Sequence, residues 1–196
     1  MVATPLRRSQ AAAESPLRSE LYSADQMERH GEALAAAHKL RPGRTRDVLL
    51  KRLAENEGVL VATGELLKAA VTAGRAIAPA GEWLLDNFHL IEEQVRTAKR
   101  HLPEAYSREL PRLLEGPSAG LPRVYDIALE AIAHGDGRLD AEGLRRFVAA
   151  YQTVGPLKLG ELWAIPIMLR LALIENLRRV AARIAAGTSE RDLAAA

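Results

Sequence analysis

The sequence predicts an all-α protein, an irregular multi-helix bundle with no sheet. Three observations point there. Between Glu82 and Leu102 the apolar residues Leu84, Phe88, Ile91, Val95, Ala98 and Leu102 recur in steps of four and three, which is one stripe of a helix. No run of β-branched residues alternates with period two. Alanine, leucine and arginine, all good helix formers, are abundant, while aromatics make up only 4% of the chain. The core is therefore expected to be aliphatic.

The elements follow in order. Residues 1–22 hold Pro5, Pro16 and the pair Arg7-Arg8 without periodicity, and read as a loosely ordered arm before a helical domain at 23–186. Ser23 is placed to N-cap a helix from Ala24 to about Leu40, and Arg41-Pro42-Gly43 ends it. Thr45 is expected to cap a second helical stretch, with Gly58 and Gly64 bending or splitting it. Pro79-Ala80-Gly81 breaks the pattern before the helix that starts at Glu82 and reaches about His101. A short helix follows Pro103.

Residues 111–122 carry three prolines and two glycines and are expected to form a long loop. Helices are then predicted from Arg123 to His134, from the cap Asp140 to Val154, and from Leu159 to Ala186 with Pro166 as a kink. Gly187 is the expected C-cap of the last helix. Thr188 or Ser189 opens a new helical pattern, so 187–196 read as the start of a truncated helix or a tail, as in a cut chain.

Composition narrows the function. The chain has 196 residues and no cysteine, which removes disulfides, thiolate metal sites and a cysteine nucleophile. The net charge is only +2 and basic residues are interleaved with acidic ones, so no nucleic-acid footprint is expected. The most apolar run, Leu162–Ile174, is broken by Pro166 and Arg170, short of the roughly 20 apolar residues a bilayer helix requires. It reads as a buried core helix, and the chain as cytoplasmic. There is no glycine-rich phosphate loop, G-x-S-x-G elbow, H-E-x-x-H or D-x-D pair.

Few residues are left to carry chemistry. Asp86, His89 and Glu93 share a helix face at i, i+3 and i+7, a spacing that suits a divalent metal or an acid–base pair, as in a small metal-dependent enzyme. The plainer reading is an exposed polar face with His89–Glu93 as an i,i+4 pair. Glu92–Arg96 reads as an intrahelical ion pair. Glu161, Arg170 and Glu175 lie in or beside the most apolar helix and are expected to form a structural ion-pair network, since buried charges need partners. Trp83 and Trp163 are expected as core anchors. A candidate binding site combines Arg123 and Tyr125, at a helix N-terminus after the Pro-rich loop, with Asp86, Asn87 and His89 opposite. The alternative there is that Arg123 pairs with one of those acids and pins the loop. A calcium loop at Asp136–Phe147 is rejected, because Ala141 and Phe147 stand where glycine and glutamate are required.

Three segments carry a resemblance: EWLLDNFHLIEEQ (Glu82–Gln94), LPRLLEGPSAGLPRVYDIA (Leu110–Ala128), and Leu144–Val180 with LRRFVAAYQ and LGELWAIPIMLRLALIENLRRV. In this order they resemble the N-terminal region of bacterial cyclic β-1,2-glucan synthases, and Pro16–Lys39 is similar to the start of such proteins. The resemblance implies a piece of a large inner-membrane enzyme that builds β-1,2-glucan from UDP-glucose on a protein tyrosine. The matching region precedes the transferase and phosphorylase-like domains. It therefore implies an accessory or scaffold role, with the remaining synthase domains as partners. No catalytic residue is implied here, and Mg2+ or Mn2+ would be needed only in the full-length enzyme. Tyr106, Tyr125 and Tyr151 are not implied as the primed tyrosine. A stand-alone helical adaptor is the alternative from another class.

Overall fold

A computed structural model describes residues 15–17, 20–41, 48–102, 104–135 and 140–195, with backbone alone for 104–106 and 191–195. Among these residues the chain forms α1 (Ala24–Ala37), β1 (Leu40–Arg41), α2 (Leu49–Thr72), α3 (Pro79–Asp86), α4 (Phe88–His101), α5 (Glu104–Glu109), β2 (Arg112–Leu113), α6 (Arg123–His134), α7 (Ala141–Val154) and α8 (Leu159–Ala195). The fold is all-α, as the periodicity predicts. Its extended features among the described residues are the two-residue antiparallel pair of β1 with β2, Leu40 opposite Leu113, and an isolated bridge between Arg112 and Pro122.

Several boundaries are set by identifiable local chemistry. Ser23 caps α1 through a capping box: its hydroxyl accepts from the Gln26 amide, and its own amide donates 2.8 Å to the Gln26 side chain. Asp140 caps α7 by accepting from the Gly143 amide at 2.6 Å. The expected stops at Pro42-Gly43, the Thr45 cap and the Pro103 helix start lie outside the described residues, as does most of the 1–22 arm.

Other expectations are corrected. Pro79 does not break a helix but begins one, at the N1 position where its missing N–H is harmless. The Glu82–His101 helix is two helices, separated at Asn87, whose amide bonds back to the Trp83 carbonyl at 3.1 Å. Gly58 and Gly64 do not interrupt α2, and at Gly64 the Phe88 ring packs where a Cβ would stand, 3.0 Å away. Gly187 does not cap α8. The helix continues through it because the next turn is anchored: Thr188 is buried and its hydroxyl donates to the Ile184 carbonyl. Residues 187–195 extend α8.

The core forms around α6, whose Val124, Ile127, Ala131 and Ile132 are fully buried. Helices α6 and α2 pack on α8, and α3 and α4 lie against α8 and α2. Helix α1 packs along α7, where Phe147, Val148 and Tyr151 form the buried face. Segment 111–122 is folded, not slack. The Leu114 amide bonds to the Lys39 carbonyl, and Gly116 and Gly120 take φ of 90° and 82°, a region that favours glycine.

The α1–α7 crossing depends on Gly31, where an added Cβ would stand 2.8 Å from the Phe147 carbonyl oxygen. Gly58 faces open space. Urea denaturation should therefore separate two identical substitutions. Gly31→Ala is expected to lose about 1–3 kcal/mol by overpacking, and Gly58→Ala to gain about 0.5–1 kcal/mol by reducing backbone entropy in the unfolded chain.

Candidate functional site

Two carboxylates of α8 sit at the centre of the bundle's polar chemistry. Glu161 is 1% exposed and Glu175 is not exposed at all. Arg123, from the first turn of α6, donates to both Glu161 oxygens at 2.6 and 2.8 Å and to the Pro156 carbonyl at 2.8 Å. Glu161 also accepts from the Lys158 amide at 2.9 Å, so one side chain caps α8 and ties it to α6. Glu175 receives Arg52 and Asn56 from α2, and Arg178 and Arg179 from its own helix, at 2.7–3.1 Å. Burial alone would push the Glu175 carboxyl up. Arg52 first, then Asn56 and Arg178, outweigh that and hold it at about 2. Burial, and the Glu175 charge next, push the Tyr125 hydroxyl well above its usual range.

The residues nominated for binding do not come together. Arg123 is buried and occupied by Glu161, not by any acid of the 82–93 stretch. Tyr125 is buried beside the Arg52–Glu175 pair. Asp86 ends α3 while His89 and Glu93 lie in α4; all three are exposed, and they do not converge as ligands. Glu92 and Arg96 are exposed and not paired with each other among the described residues. Arg170 joins neither Glu161 nor Glu175, so the expected single network is two separate arginine–carboxylate clusters.

The tryptophans are also corrected: Trp83 is 55% and Trp163 75% exposed. They border an apolar groove. Between α3–α4 and α8, a hollow of about 430 Å³ is lined by Trp83, Leu90, Leu173 and Pro166. Beside it, one of about 650 Å³ is lined by Trp163, Leu159, His101 and again Pro166. Arg170 borders both hollows. Pro166 lies inside α8 and cannot donate to the carbonyl four residues back. The two hollows thus leave a stretch of apolar side chains open to solvent along one side of α8.

A second cluster escaped sequence reasoning. His30 of α1 and Glu130 and His134 of α6 bring their ligand atoms within 4.8 Å of one another. The Glu130–His134 pair has helical i,i+4 spacing, the one signal in the sequence that could have pointed to the cluster. His30, a hundred positions away, gave no such signal.

The Glu175 cluster sets an acid limit on stability. Its folded pKa of about 2 lies below the 4.5 of the free group, so its contribution is fully present above pH 4.5 and is lost as pH falls toward 2. The loss is expected to be about 3 kcal/mol. Glu175→Gln should flatten that part of the stability–pH curve. At neutral pH it should cost about 3–5 kcal/mol, because it removes the buried carboxylate charge that Arg52, Arg178 and Arg179 share. Denaturant titrations from pH 7 to pH 2 check both.

No protein-family model matches the chain. It is 37% identical over 169 residues to the cyclic beta-(1,2)-glucan synthase NdvB of Rhizobium meliloti (strain 1021). The alignment covers 86% of this chain and 6% of that protein. Among the described residues no helix is long and apolar enough to cross a membrane. The resemblance carried by the three motifs thus extends along most of the sequence, and the chain resembles one small segment of a cyclic β-1,2-glucan synthase.

Proposed function

We propose that the chain is a helical scaffold of a cyclic β-1,2-glucan synthase, and that its α4–α8 groove docks an amphipathic helix from another domain of the synthase. In this reading glucosyl transfer from UDP-glucose, with its Mg2+ or Mn2+, belongs to those other domains. The module sits at the cytoplasmic face of the inner membrane. The carrying observation is the apolar groove with two exposed tryptophans, in a chain similar to 6% of a much longer synthase. Both walls are helical, which suits a helix laid between them. Arg170 beside Pro166 offers a partner for a carboxylate on that helix. The buried arginine clusters fit the same role, since they tie the α8 wall to α2 and α6 behind it.

The test joins this chain to the remaining domains of such a synthase, supplied as a separate polypeptide. Trp163→Ser and Trp83→Ser remove exposed rings, so each should leave stability within about 0.5 kcal/mol of the parent. Association should weaken by about tenfold or more for each. Unchanged association would contradict docking at the groove. Quenching of tryptophan fluorescence by β-1,2-glucan would instead make the two rings a saccharide platform. The chain alone should not turn over UDP-glucose.

A further inference from the structure

The geometry of His30, Glu130 and His134 points to a binding site for a divalent metal ion of the zinc class, joining α1 to α6. The His134 ring is fixed on both sides. Its Nδ1 lies 2.7 Å from the Glu20 carbonyl oxygen, which can only accept, so Nδ1 carries a proton. The Tyr22 ring stacks on it at 3.9 Å and 9°, and the Tyr22 amide donates to the His134 carbonyl. A neutral imidazole has one N–H, so Nε2 is then a lone pair. It stands 3.4 Å from Oε2 of Glu130, which is another acceptor. Two lone pairs facing at that distance are reconciled by a metal cation between or beside them, or by a second proton on the ring. Nε2 of His30 stands 2.8 Å from the same oxygen.

The arrangement has the features of a zinc site. Two imidazoles and a carboxylate are a common ligand set with one position left for water. Four ligands at about 2.0–2.1 Å in a tetrahedron lie about 3.3 Å apart. The edges from Glu130 Oε2 to the two ring nitrogens are 2.8 and 3.4 Å, and all three ligand atoms lie within 4.8 Å of one another, so side-chain movements admit an ion. A ligating histidine commonly gives its other N–H to a backbone carbonyl, as His134 does to Glu20. His134 is nearly buried, while His30 and Glu130 keep 23% and 31% of their side chains open to solvent, leaving a path of entry. Among the described residues no other group of three ligands converges in this way.

Such an ion would close the start of α1, and segment 20–22 with it, onto the central helix. The competing arrangement places a proton on His134 and leaves a plain ion-pair triad. Calorimetric titration of the untagged, EDTA-treated chain with ZnCl2 distinguishes them. One Zn2+ per chain is expected, raising the Tm by about 5 °C at a hundredfold excess over Kd. Co2+ in its place should give the intense visible absorption of a tetrahedral site. Glu130→Gln and His30→Gln should each weaken Zn2+ binding by about tenfold or more, while His89→Ala leaves it unchanged. Both glutamine variants keep a hydrogen-bonding side chain, and their metal-free melting curves confirm folding. No Zn2+ uptake by the parent chain overturns the proposal. So does equal uptake by the Glu130 and His30 variants, or loss of uptake on substituting the exposed His89.

Discussion

A carboxylate with no exposed surface must be met by positive charge, and Glu175 is met by three arginines. Arg52 comes from α2, so the pairing fixes the rotation and height of α8 against that helix. Glu161, fourteen positions earlier and about 21 Å along the axis, does the same against α6 through Arg123. Apolar packing alone tolerates sliding of one helix past another. Two bidentate arginine–carboxylate contacts along one helix do not, because a shift of one turn would strand a buried charge. The aliphatic core supplies most of the driving force, and the two locks select one register of it.

This explains why α8 can carry so much unfavourable local sequence. Pro166 removes a helix hydrogen bond, and Leu159, Trp163 and Leu173 stay exposed beside it. An isolated helix with these features would be poor. Held at Glu161 and at Glu175, the segment between the locks can leave its outer face apolar and open. The groove lies on the side of α8 turned away from these ionic contacts, against α3 and α4. The His30–Glu130–His134 cluster lies on α1 and α6 and uses neither lock.

What the sequence made legible was short-range. The stripe Leu84–Leu102 gave the buried face of α3 and α4, yet not the break at Asn87, because the period continues across it in phase. Ser23 and Asp140 were readable as caps because capping acts over three residues. Trp163 was misjudged because periodicity marks an apolar face without showing what covers it. The two arginine locks join residues 38 and 123 positions apart, so sequence could show that Glu161 and Glu175 needed partners and not which ones. Gly187 failed as a stop signal because buried Thr188 holds the following turn.

The central claim is that the outer face of α8, whose inner side is tied to α2 and α6, is where the rest of the synthase binds. Hydrogen–deuterium exchange of this chain, free and associated with the remaining synthase domains, tests it most directly. The account predicts new protection concentrated in residues 159–173 of α8 and 88–101 of α4, with α1 and α7 unchanged. Protection confined to α1 and α7, with the α8 segment exchanging as in the free chain, would contradict it.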